Sequence, residues 1–187
     1  MSKPVNKPIT NRDWLVNTTA RYFQAAQREG GGALEEFVER VNQRLFSFCL
    51  SLTGNKEAAE DLRQELYVKL LKHIKDLRDP NAIIGWLYAI AKNHFFDYCR
   101  KKKNKPTSPL FDLPESLATL TPDFEGGVEV LKLMEQLTPE DRFLVTLVYV
   151  EGCTYEETAD VMGEGITVEA VRSRVYRVKK LLRKEAA

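Results

Sequence analysis

The stretch from Gly85 to Lys105, GWLYAIAKNHFFDYCRKKKNK, constrains the fold more than any other. Trp86, Leu87, Ile90, Ala91, Phe95 and Tyr98 recur at helical spacing, the pattern of a helix with one face seated in a core. The same helix then runs into Arg100, Lys101, Lys102, Lys103 and Lys105. A helix that starts buried and ends basic has two readings. A basic end suits a phosphate backbone, which supplies most non-specific nucleic-acid affinity. A charge run leading into a linker is otherwise a solvated face.

The residues before this helix supply its partners. A helix from about Ala33 to Leu52 spaces Phe37, Val41, Leu45, Phe48 and Leu52 by three or four. Thr53 and Gly54 end it, and Asn55 caps a second helix over about Lys56 to Leu77. There Leu62, Leu66, Leu70 and Ile74 form the inward stripe, while Asp61, Gln64, Glu65 and Val68 lie away from its centre. Arg78, Asp79 and Pro80 turn the chain into the central helix. Short connections between three helices make residues 33–105 one helical domain. Residues 1–32 read as an N-terminal extension, loose to about residue 12, with Pro4 and Pro8 and no apolar signal segment. Within it, Asp13 caps a short helix to about Glu29, carrying Trp14, Leu15, Tyr22 and Phe23, and Gly30, Gly31 and Gly32 break it.

Residues 106–124 change character. Pro106, Pro109, Pro114 and Pro122 stand among Ser, Thr, Asp and Glu, which reads as an interdomain linker. Its Leu110, Phe111, Leu113, Leu117 and Leu120 are more apolar than a solvated tether needs. The second domain, residues 125–187, opens with Val128, Leu131, Leu133, Met134 and Leu137. Thr138-Pro139-Glu140-Asp141 then starts a helix that carries Phe143, Leu144, Leu147 and Val148 to about Val150. After Gly152, Thr154 and Glu157 have capping-box spacing at the head of a helix from Tyr155 to Met162. Gly163, Glu164, Gly165 and Ile166 form a turn, and Thr167 caps a last helix over about Val168 to Lys184. Val168, Val171, Val175, Val178 and Leu182 face inward on it; Arg172, Ser173, Tyr176, Arg177 and Lys180 face elsewhere, and Arg174 falls further round. Such a pair resembles a helix-turn-helix, whose second helix enters the major groove. A small bundle with a solvated basic face is the plainer alternative. The fold class is all-α: two small helical domains joined by a Pro-rich linker, the second with a helix-turn-helix.

The net charge of the 187 residues is only +1, so nucleic-acid binding has to use local patches. Cys49, Cys99 and Cys153 are far apart and odd in number, with no C-x-x-C pair. That argues against zinc and disulfide frameworks and fits a reducing, cytoplasmic setting. No stretch approaches the roughly 20 apolar residues of a membrane span, so no membrane insertion is expected. Asp61 and Glu65 are one helical turn apart, but a chain this small and helical offers no enclosed groove for paired-carboxylate catalysis. No nucleophile–base set stands out, and His73 and His94 read as ordinary helix-surface and satisfied side chains. The chain reads as no enzyme, with no cofactor and no metal.

Two separated stretches together resemble the bacterial RNA polymerase sigma factors of the extracytoplasmic-function type. AAEDLRQELYVKLL, residues 58–71, is similar to the family's D-L-x-Q-E helix, which grips a coiled coil on the polymerase clamp. GWLYAIAKNHFFDYCRKKK, residues 85–103, is similar to the segment that opens and reads the minus-ten promoter element. A third, LTPEDRFLVTLVYVEGCTYEETADVMG with VRSRVYRVKKLLR, resembles the region that reads the minus-thirty-five element. The resemblance covers about residues 33–105 and 125–184. Two departures stand out: Gly163 to Val171 is two residues longer than usual, and Thr158 stands where Ile or Val is commoner.

The resemblance implies a dissociable promoter-specificity subunit with core RNA polymerase and promoter DNA as partners, and an inhibitory anti-sigma protein as a further one. Asp61, Gln64 and Glu65 would contact the polymerase. Asn93, with the loop from Asp79 to Ile84, would hold a base flipped from the minus-ten element. Arg100, Lys101, Lys102 and Lys103 would contact phosphates, because contiguous residues point round a helix and suit positioning better than readout. Arg172, Ser173, Tyr176 and Arg177 would read bases, with Arg174 and Lys180 as further DNA contacts. Two other readings stay open: a helix-turn-helix transcription regulator that forms no holoenzyme, and a decoy that occupies the clamp. A regulator needs no D-L-x-Q-E helix and a decoy needs no Arg-rich recognition face; the sequence carries both.

Overall fold

The computed structural model describes residues 11–103, 134, 136–163 and 165–185, and every described regular element is helical. The expected linker, residues 106–124, and most of the helix expected before Leu137 lie outside them. The first unit comprises α1 (Asn11–Glu29), α2 (Gly31–Thr53), α3 (Lys56–His73), a 3₁₀ turn (Pro80–Ala82) and α4 (Ile83–Lys103). The second comprises α5 (Pro139–Val145), a π-helical turn (Thr146–Val150), α6 (Tyr155–Met162) and α7 (Val168–Glu185).

Local chemistry sets the boundaries. Gly54, at φ 64°, closes α2 by donating its N–H to the Leu50 carbonyl at 2.8 Å, a left-handed cap that suits glycine. Asn55 then accepts the Ala58 amide and starts α3. The Thr138 hydroxyl accepts the Asp141 amide at the head of α5, and Thr154 and Glu157 form a complete capping box on α6. α3 stops at His73, short of the Leu77 expected from periodicity. The Asp76 amide turns back to the His73 carbonyl, and Gln27 of α1 donates to the Ile74 and Leu77 carbonyls at 2.6 and 2.8 Å. Gln27 thus satisfies carbonyls that the last helical turn leaves open.

α1 is not an appendage. Phe23 is fully buried and meets Phe37 of α2 edge-on at 5.6 Å, with Ala20 and Ala26 buried on the same side. Residues 1–32 are expected as an extension beside the first domain; within them, Ala20, Phe23 and Ala26 of α1 pack on that domain. Phe37 supplies Phe23 with an aromatic partner from the next helix.

The two units also pack on each other. Phe143 of α5 lies against Phe48 (5.9 Å), Phe95 (6.2 Å, stacked) and Phe96 (5.9 Å). Arg142 is buried and donates to the Met134 carbonyl at 2.9 Å and the Leu52 carbonyl at 3.3 Å. The π turn ends in a bond from the Glu151 amide to the Thr146 carbonyl, and this wide turn aims Glu151 into the junction. There the Glu151 carboxylate, 3 % exposed, pairs with Arg44 at 2.8 Å and accepts the Tyr88 hydroxyl. Burial pushes the Tyr88 phenol well above its ordinary range, and the neighbouring Glu151 charge pushes the same way. Burial disfavours the charged Arg44, but Glu151 and Tyr88 outweigh it and hold the guanidinium protonated. From α4, Lys92 donates to the Val161 and Met162 carbonyls at 3.1 and 2.6 Å, a cation at the C-terminal end of α6.

One core position of α6 is imperfect. Thr158 of α6 is fully buried, and its hydroxyl has no hydrogen-bond partner among the described residues. A buried hydroxyl left unpaired costs stability, so Thr158→Val is expected to stabilise the protein by about 1 kcal/mol, read as a raised denaturation midpoint in urea. An unchanged or lowered midpoint would mean that the hydroxyl is satisfied in solution.

Candidate nucleic-acid interface

α3 presents two faces. Ala59, Leu62, Leu66 and Leu70 are buried. Asp61, Gln64 and Glu65 are exposed on the opposite side, as their spacing predicts. Two large apolar side chains continue that outer stripe: Val68 is 45 % and Leu71 52 % exposed. Leu71 is the residue that periodicity alone leaves unassigned to this face. The stripe joins acidic and apolar groups in one exposed strip.

Between the end of α3 and the first turns of α4 lies a cleft of about 560 Å³, lined by Lys69, His73, Asp76, Leu77, Trp86, Ile90, Asn93 and His94. His73 meets the Trp86 ring edge-on at 6.2 Å and its Nδ1 pairs with Asp76 at 3.2 Å. Asn93 is exposed at the cleft. The expected loop from Asp79 to Ile84 does not supply the described wall. Ile83 and Ile84 are buried in the core, and the lining comes instead from residues 69–77 and 86–94. Those two isoleucines anchor the start of α4, which turns Trp86 and Ile90 towards α3.

The basic end of α4 is only partly free. Arg100 is 77 % exposed but forms an ion pair with Asp97 one turn before it. The hydrogen bond from Arg100 holds the Asp97 carboxyl below its ordinary range. Lys101 is exposed, and α4 runs on through Lys102 to Lys103.

α7 is the clearest two-faced element. Val171, Val175 and Val178 are at most 2 % exposed. Arg172, Ser173, Tyr176, Arg177 and Lys180 are exposed, Tyr176 at 71 %. Arg172 lies 5.9 Å from the ring of Tyr155, the first residue of α6. Arg174 is half-buried, further round, as the helical geometry requires. Arg177 and Arg174 share one carboxylate, Asp141 of α5, at 3.2 and 3.7 Å. The turn between α6 and α7 closes through the Ile166 amide and the Gly163 carbonyl at 3.2 Å, and Thr167 caps α7 by accepting the Ala170 amide. Gly163 has φ 83°, and a side chain there would meet the Lys92 ammonium at 3.4 Å. The longer turn thus keeps α6 and α7 packed, with Ile166 half-buried against the core.

The arrangement has counterparts. Residues 37–105 match the family model Sigma-70 region 2, and residues 127–182 match Sigma-70, region 4. The SigM sigma factor of Bacillus subtilis is 31 % identical over 155 residues, covering 80 % of this chain and 93 % of that protein. The chain belongs to the extracytoplasmic-function sigma factors. This sigma factor binds core RNA polymerase and directs promoter recognition. SigE of Mycolicibacterium smegmatis is 26 % identical over 187 residues, covering 94 % of the sigma factor described here and 72 % of the relative. Among solved structures, the fold is similar to RpoE of Bartonella quintana in complex with the anti-sigma factor NepR, with a TM-score of 0.62 and 20 % identity over 81 % of this chain and 94 % of that one. It is equally similar to CnrH in complex with the cytosolic domain of CnrY, with a TM-score of 0.62 and 20 % identity over 91 % and 96 %. Among the described residues of this sigma factor, no group of three His, Cys, Asp or Glu residues could hold a metal. No described helix is long and apolar enough to cross a membrane.

Proposed function

We propose a division of labour among four surfaces of the sigma factor. The outer stripe of α3, with Asp61, Gln64, Glu65, Val68 and Leu71, docks on core polymerase. The cleft beside Asn93 takes a base displaced from the minus-ten element, with Trp86 and His73 as flat walls and Asn93 as a polar edge. Arg100, Lys101, Lys102 and Lys103 hold phosphates. Arg172, Ser173, Tyr176 and Arg177 read the minus-thirty-five duplex, and Arg174 and Lys180 contact its backbone. The observation that carries this reading is α7 itself: three valines at most 2 % exposed fix the helix, and its exposed stripe carries two arginines, a serine and a tyrosine.

The packed arrangement of the two units is a form of the free protein. Two promoter elements about 25 base pairs apart at about 3.4 Å per pair are separated by roughly 85 Å. A compact chain of this length has a radius of gyration of roughly 16 Å. One closed body cannot reach both elements, so the contacts around Glu151, Lys92 and Phe143 part on the promoter. An anti-sigma protein is a further partner, a reading supported by the solved complexes of the similarly folded RpoE and CnrH. The protein works in the cytoplasm beside the polymerase.

The test is selection from randomised minus-thirty-five sequences by holoenzyme containing wild type, Arg172→Ala or Arg177→Ala. Each variant is expected to lose preference at one or two positions, a discrimination of roughly 1–3 kcal/mol per good contact, while holoenzyme assembly is unchanged. Recovery of the wild-type motif by both, with only uniform weakening, would move base reading off α7.

A further inference from the structure

The exposed stripe of α7 is tied to a residue outside the helix-turn-helix. Asp141 is the third residue of α5, and its amide is already fixed by Thr138. Its carboxylate is 11 % exposed, lies at the positive end of α5, and receives Nη2 of Arg177 at 3.2 and 3.4 Å. Arg174 approaches the same carboxylate at 3.7 Å, with 35 % of its side chain exposed. Arg177 keeps 68 % of its side chain exposed despite this contact. The guanidinium is therefore held at one nitrogen and open at the rest.

We propose that Asp141 is a positioning residue for promoter reading: it pins Arg177 by one guanidinium nitrogen so that the remaining donors meet a base edge in a fixed direction. This rests on the reading that α7 enters the minus-thirty-five duplex. Arginine carries five N–H donors in a rigid planar fork, two of them on Nη2, so one Nη2 hydrogen given to Asp141 leaves the second, with those on Nε and Nη1, to discriminate. A pinned side chain loses less rotamer freedom on binding than a free one, which favours the base whose acceptors match its direction. The carboxylate acts a second way. It offsets one of the two positive charges beside it, which weakens the sequence-independent pull of phosphates on this end of the helix. Both effects favour discrimination over bulk affinity, and they make Asp141 part of specificity although it does not touch the DNA.

The two effects give a signature that loss of packing alone does not. In holoenzyme, Asp141→Asn keeps the size of the side chain and the amide bond to Thr138 but removes the charge. Selection from a randomised minus-thirty-five library is expected to show an approximately fivefold fall in preference at the position that Arg177→Ala also flattens, a part of what a full bidentate contact discriminates. Affinity for unrelated duplex is expected to rise, with the slope of log K against log salt steeper by about one. Asp141→Glu, which restores the carboxylate, is expected to recover at least half of the lost preference. Thermal unfolding of each variant separates these readouts from simple destabilisation, which lowers all affinities together. If Arg177→Ala changes the motif while Asp141→Asn leaves both motif and salt slope as in wild type, the positioning role is overturned and the reading of α7 stands. If wild type itself enriches no motif in this element, that reading falls and the role of Asp141 falls with it.

Discussion

Replacing Asp61 and Glu65 together by alanine is expected to weaken binding to core polymerase by about 30-fold or more. Among the described residues, the stripe they occupy has no structural duty. Ala59, Leu62, Leu66 and Leu70 fill the inward face of α3, and both carboxylates stand in solvent. Alanine is the best helix former, so α3 keeps its structure. Val68 and Leu71, about half exposed beside them, give an interface the apolar surface that excludes water from a charge pair. Cutting one partner of a desolvated charge pair costs roughly 2–5 kcal/mol, and every 1.4 kcal/mol is about tenfold in affinity. Competition for core polymerase against a labelled sigma factor measures the loss, with circular dichroism as the control on helicity. Unchanged competition would remove α3 from the interface.

Glu151→Ala is expected to produce the largest loss of stability. The side chain is the shared partner of Arg44 and Tyr88, two groups brought to it from α2 and α4. Its removal leaves a buried phenol without its acceptor and the Arg44 guanidinium with only the Glu151 carbonyl at 3.4 Å. Breaking a fully buried pair costs roughly 3–5 kcal/mol; Arg44 is one-third exposed and regains some water, so about 2–4 kcal/mol is expected. For a chain of this length that is a fall of about 4–16 °C in the unfolding midpoint. Glu151→Gln, which still accepts the phenol, is expected to lose about half as much. On the proposal that the junction parts on the promoter, the motif selected by Glu151→Ala holoenzyme stays that of wild type. A midpoint within about 1 °C of wild type would mean that the two units do not dock through this cluster in solution.

These two sites differ in how far the sequence reveals them. Outer and inner stripes of α3 and α7 are legible because both lie within one helix, where a 3.6-residue period assigns faces directly. The Thr154–Glu157 capping box is legible for the same reason: donor and acceptor are three residues apart. The Glu151 cluster is not, because Arg44 lies 107 positions away and nothing local to Glu151 names its partner. The contact of Arg177 with Asp141 spans 36 positions and is hidden likewise. α1 was expected as a helix but not as part of the core, since the burial of Phe23 depends on Phe37 beyond a run of glycines. Leu71 misleads in the other direction. It is a leucine in a leucine-rich helix, yet Leu70 takes the core position and leaves it half exposed. The cleft beside Asn93 forms where two helices diverge, so its far wall from Lys69 to Leu77 has no signature near Asn93.

The most direct test of the central claim is reconstitution with core RNA polymerase on a genomic library, followed by mapping of transcript starts. The expected result is a set of starts absent from core enzyme alone, each preceded by a shared minus-ten and minus-thirty-five pair at fixed spacing. Asp61→Ala with Glu65→Ala should abolish these starts at limiting sigma factor, and Arg177→Ala should redistribute them. No new starts, with the chain still binding duplex DNA in the absence of polymerase, would contradict the claim and identify a helix-turn-helix regulator that forms no holoenzyme.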